Sequence, residues 1–294
     1  MDLSEHRFLV TTDWLMENLD ANDLRIVDCT SLLPNYFEAS AADGLTLASG
    51  RGLWSEGHIP GSTYADILED LCQEPKGNFM YGMPSAEQFA ATMSKLGIGS
   101  DSAVVLYDQG MNMWAARLWW MLRSFGFDNA AVLDGGWTKW MAEQRPVSTA
   151  APNYPAAKFE VRARPELIAD RDRVLAAIDD KGTCLINALD PDEFAGLPPQ
   201  RYARPGRIPS SVSVPFLQTA DADTQVFSDD AGLRATFEDV GAADSDAVIC
   251  YCGGGIAACS TALALTRLGI DNVSVYDGSL TEWSSDPSLP MEVG

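Results

Sequence analysis

The sequence of 294 residues contains the same strand–loop–helix pattern twice. One copy begins with Ala103-Val-Val-Leu-Tyr-Asp108 and the other with Ala247-Val-Ile-Cys-Tyr-Cys252. More matching residues follow in the same order: Gly126-Phe-Asp-Asn129 with Gly269-Ile-Asp-Asn272, Asp134-Gly135 with Asp277-Gly278, Trp140 with Trp283, and, upstream, Gly57-His-Ile-Pro60 with Gly206-Arg-Ile-Pro209. Such self-similarity is typical of a repeated structural unit. We therefore predict two tandem α/β domains.

Cys252 lies where the second strand is followed by a helix. The run from Ala247 to Tyr251 is rich in strand formers, and Ala257 to Leu268 has an apolar helical pattern closed by Gly269. Open α/β sheets place their chemistry at the carboxyl ends of strands, and a helix N-terminus favours an anion. We expect Cys252 to be a thiolate with a depressed pKa.

The loop after Cys252 has the composition of an anion cradle. We expect Gly253, Gly254 and Gly255 to take positive φ and to aim N–H groups inward, together with those of Ile256, Ala257 and Ala258. The alternative is a packing cysteine beside a tight turn. The first copy carries Asp108 in place of Cys252, and a carboxylate cannot act as a sulfur nucleophile. Only the second copy should react.

Together these motifs resemble the two-domain rhodanese family of thiosulfate and 3-mercaptopyruvate sulfurtransferases. The resemblance implies a doubly wound parallel sheet flanked by helices in each domain. It also implies an inactive N-terminal domain and a C-terminal domain whose cysteine carries sulfur as a persulfide. The Pro-, Ala- and Ser-rich stretch from Pro146 to Ala157 reads as a connection. We place the domains at residues 1–146 and 158–294, with a linker at 147–157.

The residues expected to bind the sulfur donor depart from the pattern of the family. The neutral loop is nearer to the mercaptopyruvate type, although Gly254 replaces the expected serine. Asn187-Ala-Leu189 stands where the family has Asp-x-Arg, so the usual arginine is missing. Because an anionic donor needs a partner, we predict a site formed by Arg201, Arg204, Arg207 and Asn187. The alternative is that these arginines pair with surface carboxylates.

The expected reaction is a two-step transfer through a Cys252 persulfide, from thiosulfate or 3-mercaptopyruvate to a thiol or cyanide, without a cofactor. A cysteine phosphatase would need an arginine at the sixth residue after the cysteine, where this chain has Ala258. A non-catalytic binding or sulfur-sensing module remains the alternative. A zinc site is not expected, because Cys250 and Cys252 have the spacing Cys-x-Cys and the chain has two histidines.

Composition restricts partners and compartment. The formal net charge of −22 argues against binding to nucleic acid or to an anionic membrane. The N-terminus is polar and carries no apolar signal region, so the cytoplasm is the expected compartment. The sequence leaves the oligomeric state open. The long stretch from Leu32 to Trp54 reads as a loop that covers part of the pocket.

Overall fold

The computed structural model describes residues 1–6, 8–34, 46–73 and 81–294, and it contains two five-stranded parallel sheets. The first sheet has the order β1-β7-β6-β2-β5. A short antiparallel pair, β3 with β4, lies beside it. The strands of this half are β1 (Leu9–Val10), β2 (Leu24–Asp28), β3 (Ser31–Leu32), β4 (Ala48–Ser49), β5 (Ser62–Tyr64), β6 (Ala103–Tyr107) and β7 (Ala130–Leu133).

The second sheet repeats the first. Its order is β10-β9-β11-β12-β8, so each strand has a counterpart in the same place of the first sheet, and all pairings are parallel. Its strands are β8 (Ile168–Ala169), β9 (Thr183–Asn187), β10 (Val212–Ser213), β11 (Ala247–Tyr251) and β12 (Val273–Tyr276). The predicted repeat of an α/β unit with a parallel sheet is confirmed.

Helices cover the sheets. They are α1 (Thr12–Asn18), α2 (Arg51–Glu56), α3 (Ala86–Lys95), α4 (Met113–Ser124), α5 (Gly136–Ala142), α6 (Arg171–Ala177), α7 (Pro191–Ala195), α8 (Asp230–Asp239), α9 (Ala257–Arg267) and α10 (Ser279–Trp283). In β6, Val104 and Leu106 join one hydrophobic cluster, while Val105 and Tyr107 join another. Side chains alternate across a strand, so both faces of this sheet are buried. No helix in the described ranges is long and apolar enough to cross a membrane.

Matching residues make matching contacts in the two halves. The Tyr107 hydroxyl accepts the N–H of Ile59 at 3.2 Å, and the Tyr251 hydroxyl accepts that of Ile208 at 3.1 Å. These bonds tie the turn before β5 or β10 to the central strand of its sheet. The indole N–H groups of Trp140 and Trp283 each donate 2.8 Å bonds to the carbonyl oxygen of a downstream proline. These repeated residues therefore make equivalent contacts in the two units.

The segment between the two halves, residues 143–164, contains the predicted linker 147–157. The described backbone there forms no helix or strand apart from an isolated bridge between Ser148 and His58. The predicted loop from Leu32 to Trp54 is partly wrong, because it includes β4 and the start of α2. Its residues 35–45 lie outside the described residues.

The two central helices pack against each other. Helices α4 and α9 follow the matching strands β6 and β11, and they are in contact along the junction between the halves. Almost every residue of both is buried, and one hydrophobic cluster continues from the first half into the second. This packing brings the loops after β6 and β11 to the same side of the molecule.

Candidate active site

Cys252 immediately follows β11 and precedes the loop that begins α9. Its backbone N–H donates to the hydroxyl of Ser279 at 3.0 Å, and the N–H of Gly255 donates to the same oxygen at 3.1 Å. The Ser279 hydroxyl in turn donates to the carbonyl oxygen of Tyr276 at 2.8 Å. Ser279 thus ties both sides of the loop to the end of β12.

The three glycines of the loop differ in conformation and surroundings. Only Gly255 takes a positive φ, of 77°, so the expectation that Gly253 and Gly254 do so as well is wrong. A Cβ on Gly253 would collide with the Tyr202 hydroxyl, and one on Gly254 would lie 2.9 Å from the ring of Tyr81. Two aromatic rings therefore approach the loop closely, and a larger residue at 253 or 254 would have to displace them.

An arginine of the first half contacts the Cys252 loop through a backbone carbonyl oxygen. Arg117 of α4 is fully buried, and its guanidinium lies 2.7 Å from a carboxylate oxygen of Asp277. It also donates to the carbonyl oxygens of Gly255 at 3.1 Å and Tyr81 at 2.9 Å. Burial is the largest single influence and opposes the charge on Arg117, but Asp277 and Cys259 together raise the pKa of Arg117 above its usual value.

The corresponding loop of the first half shows what its amides can hold. The Asp108 carboxylate accepts the N–H groups of Gly110 at 2.9 Å, Asn112 at 3.1 Å, Trp114 at 3.1 Å and Ala115 at 3.0 Å. Burial raises the pKa of Asp108, and these four bonds act against that rise. The loop after β6 and the start of α4 thus place four N–H donors around the Asp108 carboxylate.

Cys252 lines a cleft between the two halves. The residue is 2% exposed, yet it lines this cleft together with Gly253, Gly254, Ile256 and Ala257. The remaining lining residues are Leu33, Leu47, Tyr81, Met111, Met113, Trp114, Leu189, Tyr202, Phe216 and Thr281. Leu33 and Leu47 come from the stretch predicted to cover the pocket. The cysteine is therefore reachable from the cleft, although little of it is exposed.

The structure does not bring the predicted arginines to this cleft. Arg204 donates to four backbone carbonyl oxygens, including those of Trp283 at 2.9 Å and Leu289 at 2.7 Å. Arg207 pairs with Glu292 and donates to the carbonyl oxygen of Gly294 at 2.6 Å. These two side chains hold the C-terminal segment in place.

Arg201 and Asn187 are also engaged elsewhere. The Arg201 guanidinium lies 2.9 Å from the Glu193 carboxylate, and both side chains are largely buried. Asn187, at the end of β9, is fully buried and accepts the N–H of Leu189 at 2.8 Å. Neither lines the Cys252 cleft, so the predicted donor site is not assembled around the cysteine by these four residues.

The other cysteines of the second half are deeply placed. Burial raises the pKa of Cys259 to about 12 and that of Cys184 to about 11, and it raises the pKa of Cys250 well above its usual value. None of the six cysteines, all of which lie in the described part of the chain, forms a disulfide. In the described part of the chain, no group of three or more Cys, His, Asp or Glu side chains is arranged to hold a metal ion.

Two residues of the site were missed in the sequence. Arg117 is a charged residue inside the apolar helical pattern that includes Trp119 and Trp120, and an unpaired charge in such a place would be costly. Ser279 replaces Gly136 of the first copy, directly after the repeated Asp-Gly pair. Both residues could be singled out in the sequence, but the sequence does not show which residues they contact.

Comparison with known proteins gives consistent results. The Rhodanese-like domain family matches residues 11–143 and 170–286. The Arabidopsis thaliana protein "Thiosulfate/3-mercaptopyruvate sulfurtransferase 2" is 33% identical, over 98% of this chain and 87% of its own length. The 3-mercaptopyruvate sulfurtransferase of Escherichia coli (strain K12) is 29% identical, over 97% of this chain and 98% of its own. The crystal structure of the 3-mercaptopyruvate sulfotransferase SseA from Escherichia coli matches with a TM-score of 0.77 at 28% identity, covering 92% of this chain and 98% of that one.

Proposed function

This chain belongs to the rhodanese-like family and is a sulfurtransferase, and we propose that Cys252 is the residue that carries the transferred sulfur. The observation that supports this role most strongly is the ring of amides around Asp108. Cys252 has the matching position in the second copy, at the start of a loop of the same length before its helix. Because the N–H of Gly255 donates to the Ser279 hydroxyl, the amides available to surround the Cys252 sulfur are those of residues 253, 254 and 256–258.

The proposed reaction has two steps. The Cys252 thiolate attacks the transferable sulfur of the donor, a new S–S bond forms, and the rest of the donor leaves with the electron pair of the broken bond. The resulting persulfide anion is held by loop N–H groups. The first N–H groups of a helix have no hydrogen-bond acceptor within the helix, so they can bind an anion. One such donor placed at a developing anion accelerates a reaction by roughly 100-fold or more.

In the second step an acceptor such as a thiol or cyanide attacks the outer sulfur and releases the Cys252 thiolate. Thiosulfate and 3-mercaptopyruvate, the compounds in the names of the relatives, are the donors with which to begin. We retain the cytoplasm as the proposed compartment, since free cysteines fit reducing surroundings. The N-terminal domain, with Asp108 in the place of the nucleophile, contributes structure instead of a second reacting cysteine.

Intact-protein mass spectrometry tests this proposal. Incubation with either donor should add one sulfur, about 32 Da, which dithiothreitol or cyanide removes. Cys252→Ser should abolish the gain, whereas Cys72→Ser, a half-buried cysteine outside the cleft, should keep it. A gain that survives in Cys252→Ser would contradict the role of this cysteine. No gain with any donor would favour the non-catalytic binding module.

A further inference from the structure

The side chains that line the Cys252 cleft are mainly apolar. The first half contributes leucine, methionine and tryptophan side chains, and the second half contributes Leu189 and Phe216. Among the lining residues that the structure describes, none carries a charge. Among the described lining residues, the hydroxyl groups are those of Tyr81, Tyr202 and Thr281, and the Thr281 hydroxyl donates to the carbonyl oxygen of Gly253 at 2.6 Å. The cleft therefore offers its occupant apolar contact and a polar end at the loop.

Arg117, Arg204 and Arg207 do not line the cleft. Arg117 lies behind the loop, fully buried against Asp277 and two carbonyl oxygens. Arg204 and Arg207 bind the C-terminal segment. The residues at 35–45 and 74–80 contain one cationic side chain, Lys76, and three acidic ones. In a chain of net charge −22, a small donor whose whole body is charged or carboxylated would lose hydration without gaining an ionic partner among the described residues that line this cleft.

We propose that the preferred donor has an apolar body with a single terminal sulfane sulfur, as in an alkyl or aryl thiosulfonate or persulfide. This inference rests on the function proposed above for Cys252. The loop amides bind the anionic sulfur head, and the body lies against the leucine, methionine and aromatic side chains of the cleft.

The chemistry balances without an added oxidant or reductant. With a thiosulfonate, the Cys252 thiolate forms a bond to the terminal sulfur, the bond from that sulfur to the sulfonyl sulfur breaks, and a sulfinate leaves with the electron pair. With a persulfide, the leaving group is the thiolate of the body. Both routes give the same Cys252 persulfide, so the two sources differ only in the product released.

Two donors with the same reacting group test the role of the body. Methanethiosulfonate and butanethiosulfonate have equal charge and differ by three methylene groups, each giving about a fourfold gain when fully buried. We expect kcat/KM with cyanide as acceptor to be at least about 10-fold higher for butanethiosulfonate than for both methanethiosulfonate and thiosulfate. Rates with cyanide in the absence of protein correct for intrinsic reactivity.

A variant of the cleft wall completes the test. Leu189→Arg places a cation beside Cys252 and should reduce the ratio of kcat/KM for butanethiosulfonate to that for thiosulfate by at least about 10-fold. Leu189→Met keeps the wall apolar and should retain the dependence on chain length. Equal kcat/KM for the two thiosulfonates, with faster transfer from thiosulfate or 3-mercaptopyruvate, would overturn this inference and leave the Cys252 mechanism standing. Persulfide formation from none of the four donors would refute both.

Discussion

The buried ion pair between Arg117 and Asp277 joins the two domains directly behind the Cys252 loop. The Arg117 side chain is fully buried and that of Asp277 is 9% exposed, so neither charge is well hydrated. Arg117→Met would keep most of the packing volume and remove the charge. It would leave Asp277 with the N–H of Met83, 2.7 Å away, and would leave the Gly255 carbonyl oxygen without its arginine.

The expected cost is large. Removing one partner of a buried pair typically destabilises a protein by about 3 to 5 kcal/mol, because the remaining charge stays buried without compensation. At about 2 °C per kcal/mol, the unfolding midpoint should fall by roughly 6 to 10 °C. Arg123→Met is a matched control in the same helix, because Arg123 pairs with Asp128 and Asp271 at 3.5 Å and 3.7 Å near the surface. It should cost about 1 kcal/mol or less.

A double-mutant cycle separates the ion pair from general packing. Asp277→Asn alone should also destabilise strongly, while Arg117→Met with Asp277→Asn should cost about 2 to 3 kcal/mol less than the sum of the two single changes. The measurement is thermal unfolding followed by circular dichroism, with matched buffers and protein concentrations. Additivity within about 0.5 kcal/mol would refute the idea that these two charges depend on each other.

Other residues allow shorter tests. Ser279→Ala should lower kcat/KM for persulfide formation by about 10-fold or more, because the N–H groups of Cys252 and Gly255 lose their acceptor. Ser279→Gly should unfold at a higher temperature than Ser279→Ala, because residue 279 has a φ of 49°, which glycine adopts without strain. Asp108→Ala should destabilise the protein by about 3 kcal/mol in thermal unfolding, because four N–H groups lose their acceptor; an unchanged midpoint would contradict this. Cys184 and Cys259 should remain unmodified by iodoacetamide at pH 8 in peptide mapping, since burial raises their pKa values to about 11 and about 12; a rapid adduct at either would contradict those values.

The architecture could be predicted because its signals are local. Strand-forming runs that end in Asp108 and Cys252 predicted two copies of one α/β unit, and the two parallel sheets with matching strand order confirm them. The family relationship was also predicted correctly from the motifs, and the twofold match of the Rhodanese-like domain confirms it. A strand, the loop after it and the following helix depend mainly on neighbouring residues, so the position of Cys252 before α9 could be inferred.

The surroundings of Cys252 depended on contacts between distant segments. The arginines at 201, 204 and 207 are close to a repeated motif in the sequence, but their partners belong to α7 and the C-terminal segment. Arg117 meets Asp277 only because α4 packs on α9, and the cleft is apolar only because both domains contribute to it. Sequence alone determined that Cys252 is the candidate sulfur carrier and which segments would form strands and helices. The tertiary structure decided which charges pair and which side chains border Cys252, because pairing and burial are set by packing between segments far apart in the chain.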